Sequence, residues 1–106
     1  MAQYKKIIYY DRRAKKEFSK LPENTRKYFE FAFDVLRKTG ALSFPLGRKL
    51  QKNLFEVRTT GSTQWRATYA YLPKNKIIIL SFFTKKTQQT PSKEIRLAVK
   101  RKRKYL

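Results

Sequence analysis

The chain has no cysteine and no histidine. The first absence means that no disulfide holds the fold, and it excludes thiolate chemistry and cysteine-based zinc sites. The second removes the usual acid–base residue of neutral pH, so any enzyme built from this chain works without imidazole. Acids are scarce as well, with 7 Asp and Glu against 27 Lys and Arg. They are Asp11, Glu17, Glu23, Glu30, Asp34, Glu56 and Glu94. Most fall on a predicted helical hairpin, which speaks against the clustered carboxylates of a metal nuclease. Neither a metal nor another cofactor is expected. The longest apolar run, "IIILSFF", is far too short to span a bilayer. The N-terminus "MAQYKKIIYYDRR" lacks the apolar stretch and cleavage site of a signal peptide. A cytoplasmic address with no membrane partner is therefore expected.

What is present is charge, and enough apolar material to fold around. The formal net charge is +20, and 41% of the 106 residues are hydrophobic, with aromatics at 15%. That composition suits one folded domain, residues 1–106, rather than a disordered polycation. Self-repulsion of this size costs stability, and a field of this size concentrates polyanions. Nucleic acid is the expected partner. A membrane surface fits less well, because no helix sets a clean cationic face against a bulky apolar one.

Residues 3–10, "QYKKIIYY", read as a strand, and Asp11 follows as an N-cap. Ala14, Phe18 and Leu21 make one apolar helical stripe, and Pro22 ends that helix or starts the next. From Glu23 to about Lys38 a second helix is predicted. Its apolar face is Phe29, Ala32, Phe33 and Leu36, widened by Tyr28, Phe31 and Val35. Arg37 and Lys38 suit its negative end, and Gly40 suits the position after it. Residues 40–53 read as a loop carrying Arg48, Lys49 and Lys52. Strands are predicted at 54–59, 64–72 and 77–84. The last is apolar on both parities and belongs inside the sheet. A final helix starts at Thr90–Pro91, with Thr90 as N-cap, Pro91 at the first helical position, and Ile95, Ala98 and Val99 as its apolar stripe. The order β-α-α-β-β-β-α defines an α+β domain.

Strand parity carries the functional information. Period two puts Leu54, Glu56 and Arg58 on one face and Phe55 and Val57 on the other. In the next strand Trp65, Ala67, Tyr69 and Tyr71 oppose Arg66 and Thr68, and Trp65 is read as core rather than as a base-stacking platform. A register with Arg58 opposite Arg66 and Glu56 opposite Thr68 leaves a three-residue loop, Gly61–Ser62–Thr63. A two-residue loop would set Arg66 beside Phe55 and Val57 at a high desolvation cost. Lys85 and Lys86 leave the central strand at one end of the same sheet, close to the start of the last helix, whose N–H groups add to a positive field. Two arginines, two lysines and a helix N-terminus on a concave sheet would suit a phosphodiester.

The segments "LFEVR", "WRATYAY" and "IIILSFFTKKTQQTPSKEIRLA" resemble the RelE superfamily of type II toxins, and within it the HigB-like, phage-derived branch. The resemblance covers about Leu54 to Leu106. It implies the RelE-like microbial RNase fold, an antiparallel-rich twisted sheet on an N-terminal helical hairpin with a C-terminal helix. It also implies an endoribonuclease that cuts mRNA in the ribosomal A site and is neutralised by a helix-turn-helix, HigA-like antitoxin. The family's strand arginine matches Arg66, its lysine pair matches Lys85 and Lys86, and Arg58 matches the arginine that ends the preceding strand. Glu56 stands where some relatives carry lysine.

RNA can be cut by attack of its own 2′-OH on the adjacent phosphorus, without a metal. Here Arg66 is expected to clamp the phosphate with Arg58 in support. Lys85 or Lys86 would supply charge or protonate the leaving oxygen, and Glu56 would serve either as base or as a salt-bridge partner of Arg58 or Arg66. Arg48, Lys49, Lys52, Gln88, Lys100, Arg101 and Arg103 are expected to contact RNA, ribosomal RNA included. The competing reading is a non-catalytic basic module that binds RNA or the ribosome.

Overall fold

The computed structural model describes residues 5–59, 64–85 and 89–106. A five-stranded sheet runs through it. Strand β1 (Ile7–Tyr10) leads into helices α1 (Arg12–Ser19) and α2 (Glu23–Thr39). Strands β2 (Gly47–Gln51), β3 (Leu54–Arg58), β4 (Trp65–Leu72) and β5 (Lys76–Thr84) follow, and helix α3 (Ser92–Lys102) closes the order. In space the strands lie β1-β5-β4-β3-β2. Only β1 runs parallel to its neighbour β5; the other pairs are antiparallel. Among the described residues no helix is long and apolar enough to cross a membrane.

Both faces of the sheet are covered, which explains why β5 is apolar on both parities: it is an inner strand. On one face α1 and α2 lay Ala14, Phe29, Ala32, Phe33 and Leu36 against Val57, Ala67, Tyr69, Ile77, Ile79 and Phe82. Trp65 packs against this core, as a core reading required. Phe82 is its hub, with the rings of Tyr10, Phe18, Phe29 and Phe33 centred 5.1–6.4 Å from its own. Burying such a ring stabilises the fold by about 1.5–3 kcal/mol. On the other face α3 sets Ala98, with Ile95 and Val99, over Leu54, Ala70, Ile78 and Leu80.

Local chemistry explains most boundaries. Asp11 caps α1 by accepting the N–H groups of Arg13 and Ala14. Gly40 ends α2 in the left-handed region at φ +86°, where a side chain would be strained, and its N–H reaches the Leu36 carbonyl. Phe31 does not widen the buried face of α2. It points to solvent, because two residues from Phe33 is about 200° around a helix.

Three expectations need correction. The stretch read as a loop contains β2, an edge strand paired with β3. The order is therefore β-α-α-β-β-β-β-α. Helix α3 begins one residue later than expected, with Pro91 at the capping position and no side-chain cap; the Thr90 hydroxyl is engaged elsewhere. The first strand is shorter than residues 3–10 within the described residues. The β3–β4 register is the expected one, with Arg58 opposite Arg66 and Glu56 opposite Thr68. Its connecting loop, Gly61–Ser62–Thr63, lies outside the described residues, as do Lys86 and Gln88.

Candidate active site

Four strands bring polar residues to the face that α3 covers. Cross-strand pairing sets Arg48 of β2 opposite Glu56 of β3, Glu56 opposite Thr68 of β4, and Thr68 opposite Ser81 of β5. The Thr68 and Ser81 hydroxyls meet at 2.5 Å. In the adjacent row Arg58 faces Arg66, and Arg66 faces Phe83.

Lys85 reaches this face through a bulge. The pairing of β4 with β5 slips by one residue between Thr68–Ser81 and Tyr69–Ile79, leaving Leu80 as the extra residue. A bulge reverses side-chain parity beyond it. Ile77 and Ile79 face the helical hairpin before the slip, and Phe82 does so after it. Lys85, at Phe83's parity, therefore joins the Glu56 side.

Glu56 is the hub. Its side chain is 0% exposed, and its Oε1 lies 2.6 Å from Arg66 Nε and 3.6 Å from Lys85 Nζ. Its Oε2 lies 3.4 Å from Arg48 Nη2 and accepts the Thr90 hydroxyl. Arg48 Nη2 is also 3.3 Å from Thr90 Oγ1, so the entry to α3 is tied to β2 and β3 through one carboxylate. Arg66 is 1% exposed, and its fork is engaged: Nη1 donates to the Trp65 carbonyl and Nη2 to Gln64 Oε1, both at 3.1 Å. Arg66, expected to clamp a phosphate, is thus buried and held by its neighbours, and the Glu56 partner is Arg66, one of the two salt-bridge partners the sequence left open. Lys85 Nζ is buried with no hydrogen-bond partner among the described residues. Arg48 and Arg58 are half-buried.

The electrostatics follow from burial and crowding. Burial holds the Lys85 ammonium below the ordinary lysine value. Arg66, Arg48 and Arg58 push the same way, and Glu56 opposes them. Arg66 is likewise lowered, first by burial, then by Arg58 and Arg48 against the pull of Glu56. Three cations thus share one carboxylate, with Arg58 beside them, and the cluster retains positive charge for a further anion.

The other basic residues divide. Lys49 and Lys52 are exposed, as are Lys100 on α3 and Arg103 just after it. Lys100 and Arg103, with Gln51, Ile95, Arg96 and Val99, line a groove of about 310 Å³ between β2 and α3. Arg101 is a correction. It is buried and forms a two-pronged pair with Glu17, Nη1–Oε1 3.0 Å and Nη2–Oε2 2.9 Å, so it is not offered to RNA. Nearby, Tyr105 donates to Asp11 Oδ2 at 2.7 Å. Sequence reasoning missed Thr90 and Gln64 as partners in the site; the Thr-Pro pair was visible but read as a cap. Among the described residues no three His, Cys, Asp or Glu side chains are grouped to hold a metal.

Residues 16–103 match the family described as "Phage derived protein Gp49-like (DUF891)". The chain belongs to this family. A mutant of the E. coli toxin RelE in the free state superposes on this Gp49-like chain with a TM-score of 0.68, covering 96% of it and 99% of the toxin at 14% identity. A chain of the RelBE2 toxin–antitoxin complex from Mycobacterium tuberculosis gives 0.58, covering 76% and 99% at 21% identity. At such identities the likeness is one of fold, and the fold is that of RelE toxins. No curated protein matches the Gp49-like chain in sequence.

Proposed function

We propose that this Gp49-like protein is the toxin of a type II toxin–antitoxin system in the HigB-like branch, acting in the cytoplasm as a ribosome-dependent mRNA endoribonuclease. The observation that carries the reading is the gathering of Arg48, Arg66 and Lys85 around the single carboxylate of Glu56, with Arg58 as a further charge beside Arg66 and Lys85. A surplus of buried positive charge suits a phosphodiester, which gains negative charge as it becomes a phosphorane. The reaction is attack of the 2′-OH on the adjacent phosphorus. The 2′ proton leaves, the bond to the 5′ oxygen breaks, and that oxygen takes up a proton. No metal takes part in these steps.

Solvent reaches the cluster at Arg48, with 34% of its side chain exposed, and at half-buried Arg58, so these two meet the phosphate first. Lys85 supplies charge and the proton for the leaving oxygen, a task suited to an ammonium whose pKa is lowered by burial. Glu56 and Arg66 hold these groups in place from beneath. By resemblance Lys86 belongs with Lys85, and Gln88 with the RNA contacts. The groove beside Lys100 and Arg103, along with Lys49 and Lys52, takes the backbone of message or ribosomal RNA. A helix-turn-helix, HigA-like antitoxin is the proposed protein partner, in keeping with a fold also found in a toxin–antitoxin complex.

One observation favours a second reading. Both Nη atoms of Arg66 are engaged and Glu56 is sealed, which also suits a basic module that binds the ribosome without cutting. The test is end-mapping of a defined mRNA incubated with the protein, with and without ribosomes. The toxin reading expects new ends inside codons, bearing 2′,3′-cyclic phosphates, only when ribosomes hold the message. Arrested translation with intact message would support the binding module instead.

A further inference from the structure

The bulge that turns Lys85 toward Glu56 has its own support. Strand β1 pairs with β5 only as far as Ile79, whose carbonyl accepts the Asp11 N–H at 2.8 Å. Where β1 leaves off, two side chains take over. Arg101 Nη1 donates to the Leu80 carbonyl at 2.8 Å, and Glu17 Oε1 accepts the Phe82 N–H at 3.1 Å. The same two side chains are locked to each other by their two-pronged pair. Arg101 Nε also lies 4.0 Å from Asp11 Oδ1. An arginine within the run "KRKRK" would ordinarily be solvated, yet Arg101 is 5% exposed. Its burial places a guanidinium and a carboxylate on the two backbone groups that flank Ser81.

We propose that Arg101 and Glu17 are positioning residues for Lys85: by holding the Leu80 carbonyl and the Phe82 N–H, they fix the β5 bulge that sets Lys85 beside Glu56. Helix α3 and helix α1 thereby act on the cationic cluster from the far edge of β5, without touching it. The role of Lys85 in cleavage rests on the toxin reading; its placement does not.

The groups facing Lys85 are Glu56 and Arg58 on β3, Arg66 on β4 and Arg48 on β2. Its titration reports how closely it is held among them. The test uses the full chain, uniformly isotope-labelled, comparing wild type, Arg101→Met and Glu17→Gln by NMR. Two readouts are followed, the Lys85 titration and the hydrogen exchange of the Phe82 amide. A third is message cleavage on ribosomes. In Arg101→Met, Lys85 is expected to move back toward the ordinary lysine value of 10.5. Phe82 is expected to exchange faster, and turnover to fall about tenfold at unchanged ribosome affinity. Glu17→Gln still accepts the Phe82 N–H, and should shift both NMR readouts in the same direction by less. If Arg101→Met does not fold, Glu17→Gln decides on the same two readouts.

A folded Arg101→Met with wild-type Lys85 titration and Phe82 exchange would overturn the proposal. If wild type cuts no message but the two NMR readouts move, the positioning stands and the toxin reading falls. If wild type cuts and neither readout moves, the positioning falls and the toxin reading stands.

Discussion

Glu56 Oε1 lies 2.6 Å from Arg66 Nε, with both side chains sealed from solvent. Breaking a buried pair by removing one partner costs about 3–5 kcal/mol when the other is left uncompensated. The two partners are not equivalent here. Without Arg66, Glu56 still has Lys85 and Arg48; without Glu56, the cations face one another. Glu56→Gln is therefore expected to destabilise the fold more than Arg66→Met. Urea midpoints of the two variants check this ordering. Equal midpoints would mean that Glu56 does not organise the cluster.

Lys85 sits where its charged form is disfavoured, first by burial and then by three neighbouring arginines. Its folded pKa is below the unfolded one, so at neutral pH the ammonium lowers stability, and this penalty fades as pH rises through the folded value. Lys85→Met is expected to raise stability by about 1 kcal/mol while abolishing cleavage, the pattern of a residue kept for function. A melting temperature below wild type would contradict it.

Asp11 behaves in the opposite sense. Burial raises its carboxyl, but the Tyr105 hydroxyl, the Ala14 and Arg13 N–H groups and the Arg101 charge outweigh this and hold it below the ordinary 3.8. The stability it contributes is present in full above about pH 4 and is lost as pH falls through its lowered value. Asn can still cap α1 but lacks the charge met by Tyr105 and Arg101, so Asp11→Asn is expected to be less stable than wild type by about 1 kcal/mol at pH 7. The gap should close as both are acidified, which thermal unfolding at several pH values will show.

Arg96, Lys100 and Arg103 line one groove and have no place in the Glu56 cluster. Replacing all three by Gln should weaken ribosome binding and lower the slope of log affinity against log salt by about 2. Melting temperature should barely change, because these side chains lie on the surface. An unchanged salt slope would remove the groove from the RNA path.

Much of this arrangement was legible before the structure. The β3–β4 register followed from the cost of setting Arg66 beside Phe55 and Val57, and Gly40 and Asp11 announced their caps. Strand β2, "GRKLQ", was not legible: an edge strand with one large apolar residue carries no alternation to read. The β5 bulge was hidden because that strand is buried on both faces, so a parity change leaves no mark in its composition. Arg101 looked like its basic neighbours, and only the end of β1 opposite Ile79 gives it something to hold. Burial of Arg66 was hidden for a related reason. Its cross-strand partner Glu56 is set by strand pairing, while the contacts to Gln64 and the Trp65 carbonyl, though local in sequence, leave no mark in composition or periodicity.

The most direct test of the account is primer extension on an mRNA in a purified translation system, comparing wild type with Lys85→Met. The account predicts breaks inside codons with wild type, and intact message with Lys85→Met although that variant still binds ribosomes. Intact message with both proteins, or equal cutting by both, would contradict it.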